Sequence, residues 1–96
     1  MVRRLSPKSA RIVKYLLADP GREYYGYDII KECDAQAATV YRLLNNFAER
    51  GWMDRRTEAS PLEGRPARKV YRITGQGVPA LNYELTRFFE AGLVPA

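Results

Sequence analysis

Residues Glu63–Gly77 read EGRPARKVYRITGQG, and a proline flanked by basic residues is an unusual start for any regular element. Pro66 has no amide to donate and pushes Arg65 towards extended geometry, so the stretch opens as neither a helix interior nor a central strand. From Lys69 the residues alternate. Tyr71 and Ile73 fall on one face and Val70 and Arg72 on the other, the period of a half-buried strand, until Thr74-Gly75 ends it. Upstream, Trp52–Thr57 forms a second strand-like run, and Glu58–Arg68 joins the two through Ser60-Pro61 and Gly64-Arg65-Pro66. The pattern predicts an antiparallel hairpin with a long basic loop and Arg65, Arg68 and Lys69 around its tip.

Three helices precede the hairpin. Ser6-Pro7 is a helix opening, and Ile12, Val13, Leu16 and Leu17 follow as one apolar stripe until Asp19-Pro20-Gly21. A shorter helix is expected from about Tyr25 to Cys33, burying Tyr27 or Ile29 together with Ile30 and Cys33, with Asp34 capping the next. The third helix, about Ala35 to Arg50, is the clearest segment. Val40, Leu43, Leu44 and Phe47 stand at i, i+3, i+4 and i+7, and Gly51 closes it. Its other face holds Ala38, Arg42, Asn45 and Glu49, flanked by Thr39, Tyr41 and Asn46. Asn and Arg on such a face are the side chains that read adenine and guanine bidentately. The last helix is expected over about 78–91, with Leu81, Leu85, Phe88 and Phe89 along one side.

Composition narrows the function. The 96 residues suit one domain with a modest core. The net charge of +5 favours a polyanionic partner. The positive charge gathers at Arg3, Arg4, Lys8, Arg11 and Lys14 and again in the hairpin, where Arg55, Arg56, Arg65, Arg68, Lys69 and Arg72 stand. The chain has no histidine and a lone Cys33, which removes the commonest general base, the commonest metal ligand and any intrachain disulfide. No enzyme activity, cofactor or metal is expected. No apolar run approaches a membrane span, so a cytoplasmic protein is expected.

The element order is helix, helix, helix, basic hairpin, helix. This predicts a mainly α fold with a small β-hairpin, a winged helix-turn-helix spanning 1–96 as one DNA-binding domain. The third helix would enter the major groove through Ala38, Thr39, Tyr41, Arg42 and Asn45. The wing, through Arg65, Arg68 and Lys69, would reach the adjacent backbone or minor groove. The C-terminal stripe of Leu81, Leu85, Phe88 and Phe89 offers more apolar surface than that core needs, which predicts a homodimer on a palindromic duplex.

Four motifs, in order and at matching spacing over about residues 10–80, resemble one family. Tyr25-Gly26-Tyr27-Asp28-Ile29-Ile30-Lys31 is similar to its His-Gly-Tyr-Glu-Ile signature, and Thr39-Val40-Tyr41-Arg42-Leu43-Leu44 to its Gly-Thr-Leu-Tyr-Pro-Leu-Leu. Glu49-Arg50-Gly51-Trp52-Met53 resembles its Glu-Glu-Gly-Leu-Ile, and residues 64–77 resemble its wing and following strand. The family is the PadR-type winged-helix transcriptional regulators. The resemblance implies a bacterial repressor that binds palindromic operators as a homodimer, often with a small-molecule inducer, and places Thr39 and Tyr41 at the start of the recognition helix. Arg42 stands where the family has Pro, and Ala38 where it has Gly. The single helix after the wing fits the family's smaller subgroup.

Two other functions suit the same fold. One is an accessory protein for plasmid or phage replication, partition or excision. The other is a protein-interaction module using Tyr24 and Tyr25. Binding to its own upstream DNA marks a repressor, origin or attachment-site binding marks an accessory protein, and no DNA binding marks an interaction module.

Overall fold

Ser6 opens the first helix, α1 (Pro7–Leu17), by accepting the Ser9 amide on its hydroxyl at 3.1 Å, with Pro7 in the first turn. Ile12, Val13 and Leu16 are fully buried. The computed structural model describes residues 5–59, 64 and 66–90, so Arg65, expected at the hairpin tip, lies outside the described residues. After α1 the chain turns through Asp19-Pro20. The Tyr24 hydroxyl donates towards the Leu16 and Asp19 carbonyls at 3.2 and 3.3 Å, closing the end of the helix.

Tyr24 also begins a two-residue strand, β1 (Tyr24–Tyr25), where the sequence reading started a helix at Tyr25. Two residues carry no period, so only their partner strand reveals them. Tyr25 is extended, and α2 (Gly26–Cys33) therefore starts one residue later. Ile29 and Cys33 are buried, while Tyr27 is 71% exposed, which gives the core place to Ile29. Asp34 ends α2 at φ 50°, a left-handed position that a short polar residue tolerates. Its side chain therefore does not cap the next helix as expected. That helix, α3 (Ala37–Glu49), follows Gln36 with no side-chain cap, and buries Val40, Leu44 and Phe47.

The predicted hairpin is present as β2 (Met53–Glu58) and β3 (Arg68–Ile73), paired antiparallel with Met53 opposite Ile73, Arg55 opposite Tyr71, and Thr57 opposite Lys69. β1 adds to the free edge of β3, with Tyr24 opposite Tyr71 and Tyr25 opposite Val70, so the sheet has three strands in the order β1-β3-β2. Val70 and Arg72 share a face as expected, and because β3 is central Val70 is buried there at 1% exposure, flanked by Tyr25 and Arg56.

The last helix, α4 (Gly77–Phe88), is anchored by a clip at the end of β3. The Thr74 amide donates to the Trp52 carbonyl at 3.0 Å and its hydroxyl donates to the Gly51 carbonyl at 2.7 Å. That hydroxyl also accepts the Gly77 amide at 2.9 Å. The α4 stripe then divides. Leu81 is fully buried in the core of its own chain, Leu85 and Phe88 pack on that core half-buried, and Phe89 is 48% exposed. None of the described helices is long and apolar enough to cross a membrane.

The clip leaves no room for a side chain at Gly77, where a Cβ would run into the Trp52 carbonyl group. Nothing stands within 4 Å of a Cβ built at Gly75. Gly77→Ala should cost roughly 3 kcal/mol through backbone strain, while Gly75→Ala should stay within about 0.5 kcal/mol of wild type. Urea unfolding of the two variants compares them directly, and equal stabilities would contradict the clip.

Candidate nucleic-acid interface

Strand geometry sorts the hairpin charges onto two faces, because neighbouring side chains on a strand point opposite ways. Asp54, Arg56 and Glu58 of β2 share a face with Arg68 and Arg72 of β3 and with Tyr25 of β1. On this face the cations are paired. Arg56 lies 2.8 Å from Glu23 and 3.0 Å from Glu58, Arg68 lies 3.2 Å from Glu58, and Arg72 lies 3.4 Å from Asp54. The Tyr25 hydroxyl donates to Glu58 at 3.1 Å, and the Arg68 guanidinium sits 4.5 Å from the Tyr25 ring centre. Glu58 is the hub. Its carboxyl is held below the usual range by the Arg56 hydrogen bond first and the Tyr25 hydroxyl second, and Arg56 is raised in turn by Glu23 and Glu58.

The opposite face carries Arg55, Thr57 and Lys69, and no carboxylate lies within 4 Å of either cation among the described residues. Arg55 Nη1 instead donates to Asn45 Oδ1 of α3 at 2.6 Å. Between α3 and the hairpin lies a cleft of about 280 Å³, bordered by Tyr25, Tyr27, Tyr41, Asn45, Arg68 and Lys69. Lys69 borders this cleft together with Tyr25 and Arg68 of the paired face, and Arg55 reaches α3 through Asn45.

The predicted α3 residues do not act alike. Ala38 is exposed in a first turn that holds no acid and no side-chain cap, so the leading amides of the helix are free for an anion. Thr39 is half-buried beside them. Tyr41 and Asn45 border the wing cleft, whereas Arg42 is exposed on the far flank. There Arg42 and Asn46 border a second cleft of about 440 Å³ with Leu5, Ser9, Trp52 and Glu84. Glu84 is buried, pairs with Arg87 at 3.5 Å, and leaves Oε2 without a hydrogen-bond partner among the described residues.

Tyr41 has a packing role as well. A Cβ built on Gly26 would come within 2.6 Å of its ring, so the bare glycine is what lets α3 lie against the start of α2. Arg68, expected to contact DNA from the wing, lies against Glu58 and the Tyr25 ring. Arg55 was counted among the hairpin charges without a role. The alternation from buried Met53 to Arg55 was the available signal, since it puts both on one face.

The profile of the transcriptional regulator PadR-like family matches residues 15–83. The chain belongs to that family. Its members are transcription regulators rather than enzymes, and the winged helix seen here is the fold they were expected to share with this chain. No curated protein matches the sequence significantly. Among solved structures, the chain resembles a possible transcriptional regulator from Methanosarcina mazei at 18% identity and a TM-score of 0.64, covering 93% of this chain and 73% of that one. It resembles the Staphylococcus aureus MepR–DNA complex at 21% identity and a TM-score of 0.61, covering 93% and 68%. Streptomyces coelicolor PcaV, solved with its natural ligand, matches at 21% identity and a TM-score of 0.59, covering 95% and 64%. The chain thus spans about two thirds to three quarters of the length of these three structures.

The Glu58 hub yields a pH prediction. A carboxyl whose folded pKa is depressed stabilises the fold above its unfolded pKa and loses that contribution as pH falls through the folded value. A ¹³C titration should therefore place Glu58 below the ordinary value of about 4.3. Arg56→Ala should move the midpoint back up further than Tyr25→Phe does, and an ordinary midpoint in wild type would contradict the hub.

Proposed function

We propose that this PadR-like chain is a cytoplasmic bacterial repressor that binds palindromic double-stranded DNA as a homodimer. The observation that carries the reading is that Arg55 and Lys69 share one strand face beside an uncapped α3 and, among the described residues, have no carboxylate within 4 Å. A recognition helix in the major groove needs a flanking cation to hold the backbone, and phosphate contacts position while base contacts specify. That MepR was solved on DNA supports the same reading.

The partner surface is the outer side of α4. Tyr83 is 62% exposed and Phe89, at the end of the helix, 48% exposed, while Leu81 and most of Leu85 and Phe88 serve the core. Residues 78–91 therefore remain the proposed dimer helix, with Phe89 rather than Leu81 as its contact. A two-fold pair would set two α3 helices roughly 34 Å apart for a palindrome. Sedimentation should give a dimer for wild type and a monomer for Phe89→Asp. A wild type that stays monomeric at tens of micromolar yet holds a palindrome tightly would contradict the pairing.

An inducer belongs in the cleft of Leu5, Trp52 and Glu84, because Arg42 and Asn46 of α3 line it too. The unpartnered Glu84 oxygen favours a ligand with an N–H donor. Ligands that raise the Tm of wild type should lose that effect in Glu84→Gln, and an equal rise in both would move the site elsewhere.

Salt dependence tests the DNA-binding face. Each lost phosphate contact lowers the log–log slope of affinity against salt by roughly 0.9. Lys69→Ala should show that drop, while Arg68→Ala, whose cation is already paired, should leave the slope close to wild type. The reverse order would assign the interface to the other face of the sheet.

A further inference from the structure

The contact between Arg55 and Asn45 dictates more than a position. A guanidinium carries donors only, so the Asn45 atom 2.6 Å from Arg55 Nη1 has to be the carbonyl oxygen, and this fixes the orientation of the amide. An asparagine reads adenine by accepting from the N6 amino group while donating to N7. Here a full positive charge rests against the accepting oxygen. It occupies part of that oxygen's capacity and repels the amino hydrogens of an approaching adenine. What the pair still offers is the Asn45 NH₂ group and the remaining N–H groups of Arg55. Guanine answers with two acceptors, N7 and O6.

Arg55 has little else to hold. Asp54 is taken by Arg72 and Glu58 by Arg56 and Arg68, all across the pleat on the other face. Opposite Arg55 in the register stands Tyr71, a buried residue whose hydroxyl finds no partner. The pairing of β2 with β3 thus holds the Arg55 backbone in place, and Asn45 is the acceptor within its reach.

We propose that Arg55 and Asn45 form one base-reading unit that selects guanine and rejects adenine in each half-site, an assignment that rests on α3 being the DNA-reading helix. The arginine comes from the wing strand and the asparagine from the recognition helix. Specificity is therefore shared between elements that a contact on α3 alone would not link.

Selection from a random duplex pool with wild type, Asn45→Ala, Arg55→Ala and Arg55→Lys tests the unit. The position whose preference disappears in Asn45→Ala marks the base that the pair reads. Wild type should enrich guanine there, by roughly tenfold over adenine. Arg55→Ala frees the amide oxygen, so the same position should turn to adenine while the rest of the site is unchanged. Arg55→Lys keeps the charge and should keep adenine disfavoured. Circular dichroism of Arg55→Ala, an exposed substitution, should match wild type. Guanine retained in Arg55→Ala, or adenine enriched by wild type, overturns the pair alone. A wild type that enriches no sequence at all overturns the DNA-reading role of α3 and this inference with it.

Discussion

The register between β2 and β3 is the constraint on which the rest of the surface depends. Met53 opposite Ile73 puts two apolar side chains into the core, and strand alternation then sends Arg55, Thr57 and Lys69 to the face that α3 borders. A slip of β2 by one residue would bury Asp54 and turn Arg55 away from α3, parting it from the face that carries Lys69. Burial of Met53, Tyr71 and Ile73 is what prevents it. Core packing, in this sense, aims the positive charge.

The same pleat explains why a basic hairpin is not uniformly basic. Its outer face closes on itself through Glu23, Asp54 and Glu58, so Arg56, Arg68 and Arg72 contribute little field beyond the surface. Exposed pairs of this kind add little to stability, because water screens them. Among the described hairpin residues they leave Arg55 and Lys69 as the cations without a carboxylate partner. The clip at Thr74 ties this sheet to α4, so the proposed dimer helix and the wing share a rigid joint at Trp52 and Gly77.

Much of the fold was legible because its signals are periodic or chemical. Ser6-Pro7 marked α1, the stripe from Val40 to Phe47 marked α3, and the alternation after Lys69 marked β3. What escaped was whatever depends on a distant partner. Tyr24–Tyr25 is too short to show a period and is a strand only because Tyr71 and Val70 lie beside it. The burial of Val70 depends on the same pairing. Asp34 suited a cap by residue type, but the left-handed turn at the end of α2 claimed it. At the site, Tyr41 and Asn45, expected on the DNA-reading side of α3, border the cleft against the wing. The pairing of Arg68 with Glu58, and of Arg55 with Asn45, follows from strand register, which a list of charges does not contain.

The central claim is that DNA meets the Arg55–Lys69 face with α3, while the cations of the other face stay with their carboxylates. Adjacent arginines on opposite sides of one strand make this directly measurable. The side-chain Nε–Hε resonances of Arg55 and Arg56 can be followed by NMR while a short duplex carrying the selected site is added. The account predicts that Arg55 shifts and broadens with the α3 amides while Arg56 stays in place. Movement of Arg56 with Arg55 unmoved would contradict it.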